Sequence, residues 1–170
     1  GTADIVALFE TRIFSFPKPV RLVQELIEQG ADDGDIVLDF FAGSGTTGHA
    51  TLCQNAADAK SRRYILVQLP EQLDPADRDQ KTASDFCKKL NKPSNIAELT
   101  KERLRRASEK IRAANPKISL DAGFRAYKLA SSNIRAWEPV AADLENTLLA
   151  HAEHLVPGRT EADILTELLL

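Results

Sequence analysis

The chain has 170 residues, 43% of them hydrophobic and 28% charged, with a formal net charge of −3 at pH 7. That length supports one domain with its own core, and the chain holds no run of about eighteen apolar residues to span a bilayer and no signal-peptide layout near Gly1. The negative balance offers no global attraction to nucleic acid, so any DNA contact has to come from local basic surface or from another segment.

Asp4 to Phe9 reads as a short helical or loop lead-in. In Phe14-Ser15-Phe16-Pro17-Lys18-Pro19, two prolines flanking a lysine hold the chain extended. Val20, Leu22, Val23, Leu26 and Ile27 then recur at helical spacing, and Gly30 is expected to close that helix as a left-handed cap. After the turn Asp32-Asp33-Gly34-Asp35, the apolar run Ile36–Phe40 predicts a buried strand. Ala42-Gly43-Ser44-Gly45-Thr46-Thr47-Gly48 is a loop of small residues within which a helix opens, running to about Asn55. Tyr64–Gln68 predicts a second buried strand, ended by Leu69-Pro70-Glu71, with Glu71 a solvated strand-end residue.

Residues 74–95 are polar, broken by Pro75 and Pro93, and suit a lid or surface excursion with a short helix near Ala83–Leu90. Ile96, Leu99, Leu104, Ala107 and Ile111 mark a long amphipathic helix that ends before Asn115-Pro116. Phe124–Leu129 alternates as a third strand would. Two helical patterns follow, near 140–155 and 160–170, the second stopping at Leu168-Leu169-Leu170 in mid-pattern. The expected fold is α/β, a partial sheet of about three parallel strands with flanking helices and a helical C-terminal extension. Residues 1–130 form its main portion and 131–170 the extension. Parallel sheets need both faces covered, so further protein or a second copy, as in a homodimer, is expected to cover this one.

Cys53 and Cys87 form no CxxC pair and have no His at metal-ligand spacing, which reads as free thiols in a reducing cytoplasm. The chain contains no Met and begins Gly1-Thr2, which suggests a processed, trimmed or fragmentary chain.

The sharpest feature is the passage from Asp39 through Gly48, between a strand and a helix. Small residues there let a ligand approach the backbone, and a helix N-terminus offers free N–H groups and a positive dipole end. A purely structural turn needs one glycine, whereas this loop has three plus three hydroxyl residues. Gly43-x-Gly45-x-x-Gly48 fits the dinucleotide fingerprint literally. However, four residues, Asp39 to Ala42, precede Gly43, and the second strand closes with Gln68 rather than an acid. A phosphate-binding P-loop needs a lysine after its last glycine, where this chain has His49. An S-adenosylmethionine site fits best. Asp39 then meets the ligand's ammonium group, the Gly43–Gly45 loop lies beside its amino-acid part, and Gln68 meets the ribose hydroxyls.

Asp39-Phe40-Phe41-Ala42-Gly43-Ser44-Gly45-Thr46-Thr47 closely resembles motif I of the amino-methylating DNA methyltransferases, and Phe14–Pro19 with its following helix resembles their motif X. Motif X standing before motif I is similar to the β-class order, in which catalytic and target-recognition parts come earlier. Arg63–Glu71, Lys101–Ala107, Phe124–Leu129 with Ser131-Ser132-Asn133, and Gly158–Glu161 narrow the resemblance to modification (Mod) subunits of type III restriction–modification systems. The resemblance implies a Rossmann-like methyltransferase sheet that binds S-adenosylmethionine and serves adenine N6 methylation of DNA beside a restriction (Res) subunit. It places Asp39, Phe41, Gly43, Ser44, Gly45 and Thr46, with Thr47 beside them, around the cofactor's methionine part, and Phe16 and Lys18 on the border of the same pocket. Gln68 stands where many relatives of other subtypes carry a ribose-binding Glu.

Catalysis in that family rests on an Asp/Asn/Ser-Pro-Pro-aromatic motif that holds a flipped base. The prolines here stand at 17, 19, 70, 75, 93, 116, 139 and 157, never adjacent, so the chain is expected to supply cofactor binding and no methyl transfer by itself. Two other functions compete, a nicotinamide-dependent oxidoreductase fragment and a non-enzymatic module that pairs with a nuclease-helicase. The basic helix Lys101–Arg112 reads as a solvated face ahead of a DNA contact. His151 and His154 are expected on one helix without a third metal ligand. His49 is assigned to helix surface or packing, and Trp137 and Tyr127 to core.

Overall fold

The computed structural model describes residues 1–139 and 141–169, so Val140 and Leu170, at the ends of the two tail patterns, lie outside the described residues. The chain divides into two compact units, Gly1–Ala126 and Tyr127–Leu170.

In the first unit, α1 (Thr2–Phe9) and α2 (Val20–Gly30) lead to β1 (Ile36–Asp39), α3 (Thr46–Asp58) and β2 (Arg63–Leu66), followed by α4 (Arg78–Lys89) and α5 (Ile96–Ala114). β1 and β2 are parallel, with Ile36 opposite Arg63 and Asp39 opposite Leu66. A parallel pair needs a long crossover, which α3 provides. Side-chain oxygens cap the starts of α2, α4 and α5. Asp77 accepts the Asp79 N–H at 2.8 Å for α4, and Asn95 accepts the Glu98 N–H at 2.9 Å for α5. Pro19 has no side-chain acceptor to offer α2, and there the Asp4 carboxylate reaches across from α1 to take the Val20 N–H at 3.1 Å.

The core is three joined patches around α3 and α5. Ile5, Leu8, Phe9 and Leu99 pack α1 and α5 with Cys87 of α4. Leu52, Ala56 and Ile111 join α3 to α5 against Tyr64, and Val20, Ile27 and Ala50 join α2 to α3 against Val37. Ile5, Leu52 and Leu99 are almost fully enclosed, each worth about 1.5–3 kcal/mol on apolar burial alone.

The helices that meet the sheet do so over Val37, Tyr64 and Leu66. The expected fully buried strands are therefore half-buried. Ile36, Leu38 and Ile65, on the opposite face, are each about half exposed, at 49%, 49% and 50%. Apolar runs predict burial on both sides, and the helices of the first unit pack on only one. The third strand, Phe124–Leu129, is not formed. A strand exists only with a partner to pair with, and this segment straddles the boundary between the units with Tyr127 and Leu129 exposed. Gly30 is not a left-handed cap either, since α2 runs through it and Ala31 ends the helix in extended conformation at φ −137.

The second unit holds a short 3-10 turn at Ala141–Asp143, α6 (Leu144–His151) and α7 (Glu161–Leu169). The Asn133 N–H donates to Glu167 at 2.7 Å and the Arg135 N–H to the His154 carbonyl at 2.7 Å. α6 stops at His151, so the two histidines do not share a helix face. Trp137 lies edge-on to the His151 ring at 4.8 Å, but it and Tyr127 are 46% and 57% exposed rather than core. No helix among the described residues is long and apolar enough to cross a membrane.

Candidate cofactor site

The loop from β1 into α3 is built from two left-handed glycines and a set of crossed hydrogen bonds. The Ala42 N–H donates to the Val67 carbonyl at 3.1 Å, and the Gly45 N–H to the Ala42 carbonyl at 2.7 Å. Gly45 caps α3 at φ +74, and a Cβ there would also stand 2.9 Å from Thr100 Cγ2 of α5. A Cβ on Gly43, at φ +49, would have only the Phe41 carbonyl within 4 Å, so the Cα side of this residue is open to approach while its N–H and carbonyl are held by Gln68 and Thr100. Gly48 serves a different purpose. It lies where α3 crosses the strands, and a Cβ there would stand 2.8, 3.0 and 3.3 Å from Leu104 Cδ2, Leu66 Cδ1 and Tyr64 Cε2.

Asp39, at the end of β1, is half-buried. One carboxylate oxygen accepts the Phe41 N–H at 3.0 Å and the other the Thr47 hydroxyl at 2.6 Å. It thus caps the loop while keeping lone pairs for a further donor, since a carboxylate offers about four such sites. Gln68 Oε1 accepts the Gly43 N–H at 2.7 Å, and its Nε2 donates to the Leu69 carbonyl at 2.9 Å. The amide therefore braces the loop from just beyond β2. The proline-bound segment reaches the site through the Lys18 carbonyl, 3.4 Å from the Thr46 hydroxyl, while the Lys18 side chain is exposed. Phe16 and Phe41 are 91% and 90% exposed. A hollow of about 540 Å³ lies elsewhere, between α1 and α5, lined by residues such as Leu8, Glu102 and Arg106 and none from the loop.

Sequence reasoning missed two residues of α5. Thr100 places its hydroxyl on the Gly43 carbonyl. Arg103, with no exposed surface, donates through Nη1 to the Ser44 carbonyl at 3.0 Å, to Ser44 Oγ at 2.7 Å and to Thr46 Oγ1 at 2.9 Å. The signal for it was spacing. Thr100, Arg103, Leu104 and Ala107 follow the i, i+3, i+4, i+7 rule, so Arg103 falls on the buried stripe of its helix. Burial pulls its pKa down to about 10. It is an exception to the expected solvated face, as is the half-buried Arg106, which lies 5.0 and 5.2 Å from the Phe9 and Phe86 rings and donates to the Leu8 carbonyl at 3.0 Å. α5 packs against α1, α3 and α4, and keeps Arg105, Lys110 and Arg112 exposed. His49, on the first turns of α3, is buried, and that burial together with the Arg103 charge holds its pKa down at about 4.

Comparison with known proteins matches residues 4–73 to a DNA methylase family model, a span that includes the proline segment, the whole glycine loop and Gln68. The StyLTI Mod subunit of a Salmonella typhimurium type III restriction-modification enzyme is 37% identical over 131 residues, 77% of this chain and 19% of that protein. The Escherichia coli EcoP15I Mod subunit is 41% identical over 131 residues, 76% of this chain and 18% of the relative. The EcoPI Mod subunit of Escherichia phage P1 is 33% identical over 110 residues, 65% of this chain and 16% of the relative. The chain thus spans less than a fifth of the length of these relatives. Residues 4–73, which take in the proline segment and the glycine loop, thus match the DNA methylase family, and about three quarters of the chain is similar to the Mod subunits of type III restriction-modification enzymes.

Proposed function

We propose that this chain is the S-adenosylmethionine-binding part of a methyltransferase that methylates adenine N6 in DNA, as the Mod component acting with a Res subunit. The observation that carries the reading is the strand-end carboxylate of Asp39 beside a glycine loop open on the Cα side of Gly43, in a segment matched to DNA methylases. A nicotinamide reading of the same glycines gains no support from that match.

S-adenosylmethionine supplies an activated methyl group on a sulfonium. The chain's own residues hold and orient it. Asp39 has lone pairs left for an ammonium group, and Ser44, Gly45, Thr46 and Thr47 surround the methionine part. Phe16, Lys18 and Phe41 border the pocket, the two exposed rings offering apolar surface to an adenine face. Gln68 contributes through the loop it braces and through the second lone pair of Oε1 to a ribose hydroxyl.

The half-exposed Ile36, Leu38 and Ile65 fit a sheet whose other face is covered by the rest of such a protein. No adjacent proline pair exists to supply the catalytic motif, so the 170-residue chain transfers no methyl group unaided. The test is calorimetric titration with S-adenosylmethionine, on this chain and on a full-length protein carrying it. Saturable binding by the full-length protein is expected, and its absence refutes the cofactor assignment. Methyl incorporation into DNA by the isolated chain, above a blank, refutes the division of labour.

A further inference from the structure

Arg103 is enclosed by the fold, yet no carboxylate among the described residues lies within ion-pair distance of it. Its Nε and Nη2 are buried and have no partner. Only Nη1 is engaged, and it is aimed at the loop that opens α3, the 13-residue helix Thr46–Asp58. Enclosing a guanidinium without a counter-charge is costly, and it is done here beneath a helix N-terminus, where N–H groups already favour an anion.

The hydrogen-bond sense sharpens the point. A guanidinium can only donate, so Ser44 Oγ and Thr46 Oγ1 must both accept from Arg103. Their own hydrogens then point elsewhere. The two hydroxyls are 3.1 Å apart, so one can donate to the other, and the remaining contact to the Lys18 carbonyl, at 3.4 Å, is too long for a good O–H···O bond. At least one hydroxyl hydrogen is left to face a ligand, along with the first N–H groups of α3.

We infer that Arg103 is a positioning residue for an anion subsite at the start of α3, holding the Ser44 and Thr46 hydroxyls so that the half-buried Ser44 hydroxyl donates to the carboxylate of the ligand's methionine part. This rests on the S-adenosylmethionine reading and adds a discriminating element to it. Arg103 does not touch the ligand. It places a positive charge behind the loop and sets the direction of the hydroxyl that does.

The experiment compares S-adenosylmethionine with decarboxylated S-adenosylmethionine, which differs only in lacking the carboxylate, by calorimetry on the full-length protein. The unsubstituted protein is expected to prefer the carboxylated ligand. Arg103→Met should weaken that ligand by about tenfold or more and the decarboxylated one by less than about twofold. Ser44→Ala, at a half-buried position, should shift the same ratio in the same direction. If Arg103→Met does not fold, Arg103→Lys keeps a buried cation without the planar group that fixes Nη1 against both hydroxyls, and should show the same selective loss in smaller measure. Equal losses for both ligands in the folded variants make Arg103 merely structural and overturn the inference. Equal affinity of the unsubstituted protein for the two ligands overturns the carboxylate subsite and leaves the cofactor reading standing. Failure of the unsubstituted protein to bind either one overturns both.

Discussion

His49 should make the stability of this protein fall through mildly acidic pH. The imidazole is buried on α3 with Nδ1 unpartnered, and burial first, then the Arg103 charge and the Lys110 charge, press its pKa down, against an upward pull from Asp4. It protonates near 6.5 when the chain is unfolded and near 4 in the fold. Between those values the unfolded state holds the extra proton, so the stabilisation is complete above about pH 6.5 and is lost as pH falls toward 4. At about 1.4 kcal/mol per pH unit, the protein should lose about 2.5 kcal/mol between about pH 7 and about pH 4.5 from this one group. Urea unfolding at half-unit pH steps measures the loss. His49→Leu fills a similar space and cannot titrate, and it should flatten the curve over that window while leaving the fall below about pH 4 in place. A Leu variant with the same slope across that window as the parent protein would refute the reasoning.

Gly45→Ala should cost about 2 kcal/mol, combining left-handed strain with the close Thr100 methyl. Gly48→Ala, which is helical and meets only side-chain ends, should cost about 1 kcal/mol because better helix propensity offsets part of the crowding; thermal unfolding should rank them in that order. Asp39→Ala frees the Phe41 N–H and the Thr47 hydroxyl and removes the ammonium's partner, so cofactor affinity in the full-length protein should drop by about tenfold or more by calorimetry. The Arg62 guanidinium, paired with Asp58 at 2.9 Å, holds that carboxyl down at about 2. Its stabilisation is therefore present above about pH 4 and lost as pH falls toward 2, and Asp58→Asn should remove that part of the acid transition in a pH-dependent circular dichroism titration.

Local chemistry, which is written in the order of residues, was legible from the sequence. The spacing of Leu99, Leu104 and Ile111 marked α5, the apolar runs marked β1 and β2, and glycine and hydroxyl residues after a strand-end acid marked the loop. What the sequence alone misjudged depends on partners that lie far along the chain. Phe124–Leu129 alternates as a strand does, but alternation creates no neighbour to pair with. Ile36–Phe40 is apolar but for Asp39, yet within the first unit helices pack on only one face of the strand. The basic run from Lys101 to Arg112 looks solvated when its charges are counted, and it is so at Arg105, Lys110 and Arg112 but not at Arg103. Only tertiary packing turns Arg103 inward to Ser44 and Thr46, 57 to 59 residues away, and seats Arg106 between two rings. Sequence determines which groups a residue can offer; which of them meet is set by the packing of α3 and α5, where burial forces each enclosed charge to find the oxygen atoms nearest to it.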